Sequence, residues 1–165
     1  MKLYMKEKVF SWGDRFTVKD IYGNDRYTVQ GQVFSLGKKL HVCDSDGREV
    51  AFIKQELLSF LPKFSVFCNG QLVAEIRKEF TLLKPRYSIS GLGWVINGNF
   101  WEHDYEVTHG TETIVRIRKE WMTWGDTYEL DIADPEDELL ALAVVLTIDC
   151  VNEANSSANA SLSGN

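Results

Sequence analysis

An all-β chain closed around one apolar helix is the architecture this sequence predicts, on three observations. About twelve short segments of strand character recur at intervals of roughly eight to twelve residues, punctuated by turn signals, the texture of a sandwich or barrel. One motif is written three times: Ile53-Lys54-Gln55-Glu56-Leu57, Ile76-Arg77-Lys78-Glu79-Phe80 and Ile117-Arg118-Lys119-Glu120-Trp121. Near the carboxyl end, Leu139 to Leu146 runs eight apolar residues without a break. A helix without a polar face must be covered on every side, and a closed sheet covers it.

The strands come first. Phe16-Thr17-Val18-Lys19-Asp20-Ile21 alternates, Tyr22-Gly23-Asn24-Asp25 turns the chain, and Arg26-Tyr27-Thr28-Val29-Gln30 runs back. Leu40-His41-Val42-Cys43 and Glu49-Val50-Ala51-Phe52-Ile53-Lys54 flank the turn Asp44-Ser45-Asp46-Gly47. Asn69-Gly70 is a strong hairpin signal, because a type I′ turn requires positive φ at both central residues. His109-Gly110 and Trp124-Gly125-Asp126 punctuate the later part.

The repeat is read as architecture, since a repeated unit is normally one supersecondary piece that cannot bury its apolar face alone. In each copy the Ile is followed eleven residues later by an aromatic: Phe64, Tyr87 and Tyr128. Alternation places Ile53, Ile76 and Ile117 on one face, with Leu57, Phe80 and Trp121 returning to it. The other face carries Lys54 with Glu56, Arg77 with Glu79, and Arg118 with Glu120. These charges are expected to partner across neighbouring strands, worth a few tenths of a kcal/mol per pair. A solvated outer face is preferred over a lipid-facing basic stripe or a pair of acid/base carboxylates.

After Ile132 the texture changes. Asp134-Pro135-Glu136-Asp137 predicts a helix start: an Asp cap, Pro at the first helical position, and acids facing the positive end of the dipole. Leu139 to Val151 makes only about 20 Å of helix, short of the roughly 30 Å hydrocarbon core, and Asp149 interrupts it, so no membrane span is expected. Burying the eight apolar side chains is worth on the order of 12–24 kcal/mol, an upper bound from an extended chain, and calls for an enclosing cavity. Asp149 sits near the unfavourable end of the dipole, so burial there calls for a basic partner or a raised pKa.

Composition narrows the function classes. With 165 residues, 44% of them hydrophobic, one domain with a sizeable core is expected. A net charge of −6 argues against a general nucleic-acid binder and weakens docking on anionic membranes except through a local basic patch. Cys43, Cys68 and Cys150 are odd in number and far apart, which fits reduced thiols, and Met1-Lys2-Leu3-Tyr4-Met5 shows no secretory signal. A cytoplasmic location is the resulting expectation. Residues 154–165, small and polar, are expected to form a disordered tail behind a domain of 1–153.

The segments Lys8-Val9-Phe10-Ser11-Trp12-Gly13-Asp14-Arg15-Phe16, Ala51-Phe52-Ile53-Lys54-Gln55-Glu56-Leu57-Leu58 and Phe100-Trp101-Glu102-His103-Asp104-Tyr105, ending in the apolar helix, are unusual together. They resemble the LURP-one-related (YxjI-like) family over about residues 1–153. That family is similar to the tubby C-terminal domain and to the phospholipid scramblases. The resemblance implies a closed antiparallel barrel of about twelve strands around a central hydrophobic C-terminal helix. On function it implies less. Tubby domains bind phosphoinositide head groups through basic residues on the barrel, scramblases are linked to lipid movement, and plant LURP-one relatives to pathogen defence. The scramblases' Cys-rich segment and calcium motif have no counterpart here, and Asp44-Ser45-Asp46-Gly47 reads as a hairpin turn.

No catalytic signature is present: no G-x-S-x-G, H-E-x-x-H, Walker loop or G-x-G-x-x-G. His41 and Cys43 share a strand face without a second ligand pair, His103 and His109 are unconvincing as one, and no metal or cofactor is expected. Glu102-His103-Asp104 beside Trp101 reads as barrel surface rather than an acid/base cluster. Trp121 is expected in the core, and Trp12, Trp94, Trp101 and Trp124 at strand ends and turns, packing rather than inserting into lipid. What remains is a non-enzymatic, monomeric binding protein, its ligand an anionic lipid head group by resemblance. The candidate basic patch is Lys38, Lys39, Lys63, Lys84 and Arg86, which fall in or near turns. A protein-interaction scaffold is the second reading, and an enzyme the third.

Overall fold

The computed structural model describes residues 1–6, 15–32, 37–79, 86–99, 104–122 and 125–162, leaving out the side chains of 120–122, 125–126 and 155–162. Twelve antiparallel strands follow one another along the chain: β1 (Lys2–Lys6), β2 (Arg15–Asp20), β3 (Asp25–Gln32), β4 (Lys39–Asp44), β5 (Glu49–Gln55) and β6 (Lys63–Cys68), then β7 (Gln71–Glu79), β8 (Arg86–Ser90), β9 (Trp94–Asn99), β10 (Asp104–His109), β11 (Glu112–Met122) and β12 (Gly125–Ile132). Among the described residues one α-helix, α1 (Glu138–Leu162), follows them. The ladder order is β8-β7-β6-β5-β4-β3-β2-β1-β12-β11-β10-β9. Chain neighbours pair except β8 with β9, and β1 with β12 joins the two halves. The sheet curls into a nearly closed barrel whose two edge strands, β8 and β9, are linked by the short turn 91–93.

The repeat turns out to be a register device. Ile53 lies opposite Val66, Ile76 opposite Ile89 and Ile117 opposite Leu130, so in each hairpin the Ile meets the residue thirteen positions on. The aromatic two residues earlier therefore points to the same face. Phe64, Tyr87 and Tyr128 are indeed buried with the three isoleucines. Two expectations about the repeat need correction. Leu57 is 54% exposed instead of returning inward, because β5 ends at Gln55 and alternation stops with it. The outer charges of successive copies do not pair either, since β6 separates β5 from β7. Phe80 and the Trp121 side chain lie outside the described residues.

The predicted turns form. Asn69 and Gly70 have φ of 49° and 77°, the two positive values a type I′ turn demands. Asp44 caps its hairpin by accepting the Asp46 and Arg48 amides at 3.0 and 2.9 Å, which leaves its carboxylate occupied as a turn residue. At the start of the helical segment Asp134 accepts the Glu136 amide at 2.9 Å, and Pro135–Asp137 form one tight turn before α1.

Every residue from Ala141 to Val151 is buried. Eleven consecutive buried positions cover all faces of a helix, so α1 passes through the barrel and is its core. Around it close the inward residues of the strands, among them Leu3, Val18, Val29, Val42, Ile53, Phe64, Ile76, Val107 and Ile132. The backbone stays helical through Leu162, well into the segment expected as a disordered tail.

Candidate functional site

An antiparallel meander sorts its connections onto two ends. At one, the turn end, lie the tight turns 21–24, 45–48, 69–70, 91–93 and 110–111 and the start of α1. At the other, the loop end, β1, β3, β5, β7, β9 and β11 finish and the strands that follow them begin, and α1 points its C-terminal half there. Of the connections between them, 56–62 between β5 and β6 is described in full.

At the turn end, charge is matched locally. Arg26 grips Glu138 at the head of α1 through two hydrogen bonds of 2.7 and 3.0 Å, its guanidinium 5.7 Å from the Tyr27 ring centroid. Burial first, and the Glu138 charge second, push the Tyr27 phenol up to about 12. A cleft of about 340 Å³ lies here, lined by Arg26, Tyr27, Asp44, Arg48, Val50 and Leu139. Its charges are already engaged with one another: Arg26 with Glu138, and Arg48 with Asp44 and Asp46.

The loop end differs. Of the sequence-predicted patch, Lys38, Lys39, Lys63 and Arg86 all come to this end, at or just before the starts of β4, β6 and β8; Lys84 lies outside the described residues. Two further cations join them. Lys39 lies directly opposite Lys54 across β4 and β5, and Lys63 directly opposite Arg77 across β6 and β7. Lys54 and Arg77 belong to the repeat, whose outer face was read as acid–base pairs. Their cationic neighbours depend on strand register, which the motif does not encode.

Local carboxylates offset part of this charge. Lys63 holds Glu75 at 2.7 Å, Lys54 stands 3.7 Å from Glu56, and Ser65 donates to Glu56 at 2.8 Å. Lys38 is a different case: it is half-buried, 3.8 Å from Glu153 of α1, and burial lowers its pKa despite that carboxylate. Lys38 therefore fastens the helix to the barrel mouth. Lys39 and Arg77 form no ion pair among the described residues. The outer face here carries Lys39, Lys54, Lys63, Arg77 and Arg86 against Glu56, Glu75 and Glu79.

Beneath the rim, inside the barrel, lies Asp149. It is 5% exposed, and burial, with the Glu153 charge one turn on, raises its pKa to about 8. Burial and the nearby Asp149 charge push the Tyr87 phenol up to about 12, and Tyr105 well above its ordinary value. Tyr87 donates to Asn152. The ion pair described at this mouth joins Lys38 to Glu153 rather than to Asp149.

Other sequence candidates resolve into structure. His41 Nδ1 lies 2.5 Å from Glu49, and its ring packs at a tilt against Phe52, the centroids 4.9 Å apart. Among the described residues, no three His, Cys, Asp or Glu side chains converge as a metal site would require. Glu102 and His103 lie outside them, as do Trp12, Trp101 and Trp124. Trp94 is buried. No helix among the described residues is long and apolar enough to cross a membrane.

Comparison with known proteins bears on the whole chain. A family model described as LURP-one-related matches residues 1–149. A curated protein of Bacillus subtilis (strain 168), "Uncharacterized protein YxjI", is 38% identical over 151 residues, spanning 92% of this chain and 93% of its own. An X-ray structure of an Arabidopsis thaliana protein superposes with a TM-score of 0.61 at 17% identity, covering 92% of this chain and 90% of that one. That likeness shows a shared fold.

Proposed function

For a chain that belongs to the LURP-one-related family, we propose a non-enzymatic role: binding a phosphate-bearing anion, presented by a lipid head group, at the cationic loop end of the barrel. One observation carries this reading. Two like-charged pairs, Lys39 with Lys54 and Lys63 with Arg77, face each other on adjacent hairpins of the same rim. Cations directly opposite on a sheet cost roughly 0.2–1 kcal/mol per pair. A polyanion bridging the strands would turn that cost into binding energy, as charge-assisted hydrogen bonds from Lys and Arg to phosphate are the strong ones.

Among the described residues, the barrel interior offers no rival site. The helix fills it, and the turn-end cleft has spent its charges on internal pairs. A rim that acts as a binding platform needs no catalytic group, only cations held in register by the ladder.

The test is titration with a soluble inositol polyphosphate followed by calorimetry. Binding that weakens with salt, and that Lys39→Glu with Lys54→Glu abolishes, supports the head-group reading. Heat signals equal in the wild type and the double variant would overturn it.

A further inference from the structure

The connection 56–62 has a fixed base and an apolar tip. At its base the Glu56 amide donates to the Lys63 carbonyl at 2.8 Å, closing the loop on itself. The Gln55 amide donates to the Lys38 carbonyl at 2.8 Å, and the Gln55 side chain accepts the Lys38 amide at 3.1 Å. On the far side the Pro62 carbonyl accepts the Lys78 amide at 3.2 Å. Leu57 leans over Gly37, whose φ is +83° and where a Cβ would meet the leucine methyl at 3.0 Å. From this root rise Leu58 and Phe60, 105% and 99% exposed. Large apolar side chains grouped in water on an anchored loop are a candidate interaction surface.

Resting on the head-group reading above, we infer that this loop is a membrane wedge: Leu58 and Phe60 enter the interfacial layer of an anionic bilayer while Lys39, Lys54, Lys63 and Arg77 engage its phosphates. The placement fits. The strands carrying those cations flank the loop on both sides, so apolar tip and basic collar share one end of the barrel. Interfacial anchors combine these two terms, an apolar contact reaching about 5–10 Å into the head-group boundary and attraction to anionic lipid. Each adds to the other in a protein of net charge −6, whose long-range field opposes the approach.

Charge and size disfavour the other occupants. A second copy docked loop to loop would bring two cationic rims together. A protein partner would grip a convex tip of two side chains, far from the roughly 800 Å² per partner that stable interfaces bury. A bilayer demands no shape complementarity from a convex tip.

The experiment is flotation on phosphatidylcholine vesicles, with and without phosphatidylserine and a phosphoinositide, at low and high salt. Three chains are compared: wild type, Leu58→Ser with Phe60→Ser, and Lys39→Glu with Lys54→Glu. All substitutions sit on the outer surface, and circular dichroism checks the fold. The wild type is expected to float with anionic vesicles. The serine pair should lower partitioning about tenfold or more, from loss of two apolar contacts, while leaving inositol polyphosphate binding unchanged. Equal flotation of the wild type and the serine pair, or no flotation of the wild type on any vesicle, overturns the wedge. The soluble polyphosphate arm judges the other claim separately. A wild type that floats through Leu58 and Phe60 yet binds no polyphosphate sinks the head-group reading and leaves the wedge standing.

Discussion

The two ends of this barrel solve the same problem differently. At the turn end, five tight turns close the strands and their polar groups find partners within a few residues. Asp20 accepts the Tyr22 and Asn24 amides and the Asn24 side chain, which holds its carboxyl below the ordinary range, and Arg26 completes the head of α1 through Glu138. At the loop end, like charges face each other, an acid is buried beneath them, and leucine and phenylalanine stand in water. Both ends expose apolar side chains, Ile21 and Tyr22 at the turn end and Leu58 and Phe60 at the loop end, so what sets the loop end apart is like charge held face to face and offset only in part.

The helix supports both ends, and it is the place to break the comparison most heavily. Leu146 is fully buried at the centre of the plug, with the barrel wall around it. Leu146→Ala is expected to cost about 2–5 kcal/mol, from lost transfer energy and the cavity left behind. Leu58→Ala, the same change at the exposed tip, is expected to fall within about ±0.5 kcal/mol. Chemical denaturation of the two variants measures the contrast directly. Comparable losses would mean that the tip is packed and the loop end is as closed as the turn end.

Asp149 separates the ends by pH. Its folded pKa, about 8, lies far above that of an unfolded aspartate, about 3.9. Between these values the folded state holds more protons than the unfolded one, so stability falls as pH rises through that window. Below about 4 both states are protonated and the effect is flat; above about 8 both are ionised and the penalty is complete. The slope from this group is at most about 1.4 kcal/mol per pH unit. Asp149→Asn removes the titration, with Tyr87, Tyr105, Glu153 and Lys38 left around it. The stability of the variant relative to wild type should climb from pH 5 to 8 in a series of thermal melts. A difference that stays level across that range refutes a neutral buried acid.

At the turn end, Arg26→Ala leaves Glu138, whose side chain is only 8% exposed, without its bidentate partner. A loss of about 1–3 kcal/mol is expected, the cost of an abandoned buried acceptor. The loss should shrink where Glu138→Gln is already in place, and denaturation of the single and double variants checks this. An equal loss in both backgrounds would mean that Arg26 acts by packing on Tyr27 rather than by charge.

Much of this was legible in the chain itself. Turn chemistry is local, so Asn69-Gly70, Asp44-Ser45-Asp46-Gly47 and the Asp134-Pro135 cap could be read directly, and the faceless run Leu139–Leu146 called for an enclosing wall. The repeat was visible as a motif, but its meaning, an Ile opposite the residue thirteen positions on, needed the register. Register is non-local, and the same ignorance hid the Lys39–Lys54 and Lys63–Arg77 pairs, although Lys38, Lys39, Lys63 and Arg86 had been grouped by their nearness to turns. Leu57 was misplaced because alternation predicts a face only while the strand lasts, and β5 stops two residues earlier. The exposed tip at Leu58 and Phe60 gave no signal of its own: an apolar residue in a loop looks like core until its surroundings are known.

The smallest effect sharpens the comparison furthest. Lys39→Glu replaces a cation–cation pair across β4 and β5 with an ion pair to Lys54. Stability is expected to rise by about 0.2–1 kcal/mol, less at high salt because the site is near the surface. If this rim exists to hold an anion, the same substitution should weaken binding to anionic vesicles about tenfold or more, since each cation near such a surface is worth about 1 kcal/mol and the change spans two charges. A variant that is firmer yet binds worse is the signature of a site where stability is held below its optimum for function. Paired melting and flotation measurements decide it. A variant that gains stability and floats unchanged would make the facing lysines a packing accident, and the loop end would be as purely structural as the turn end.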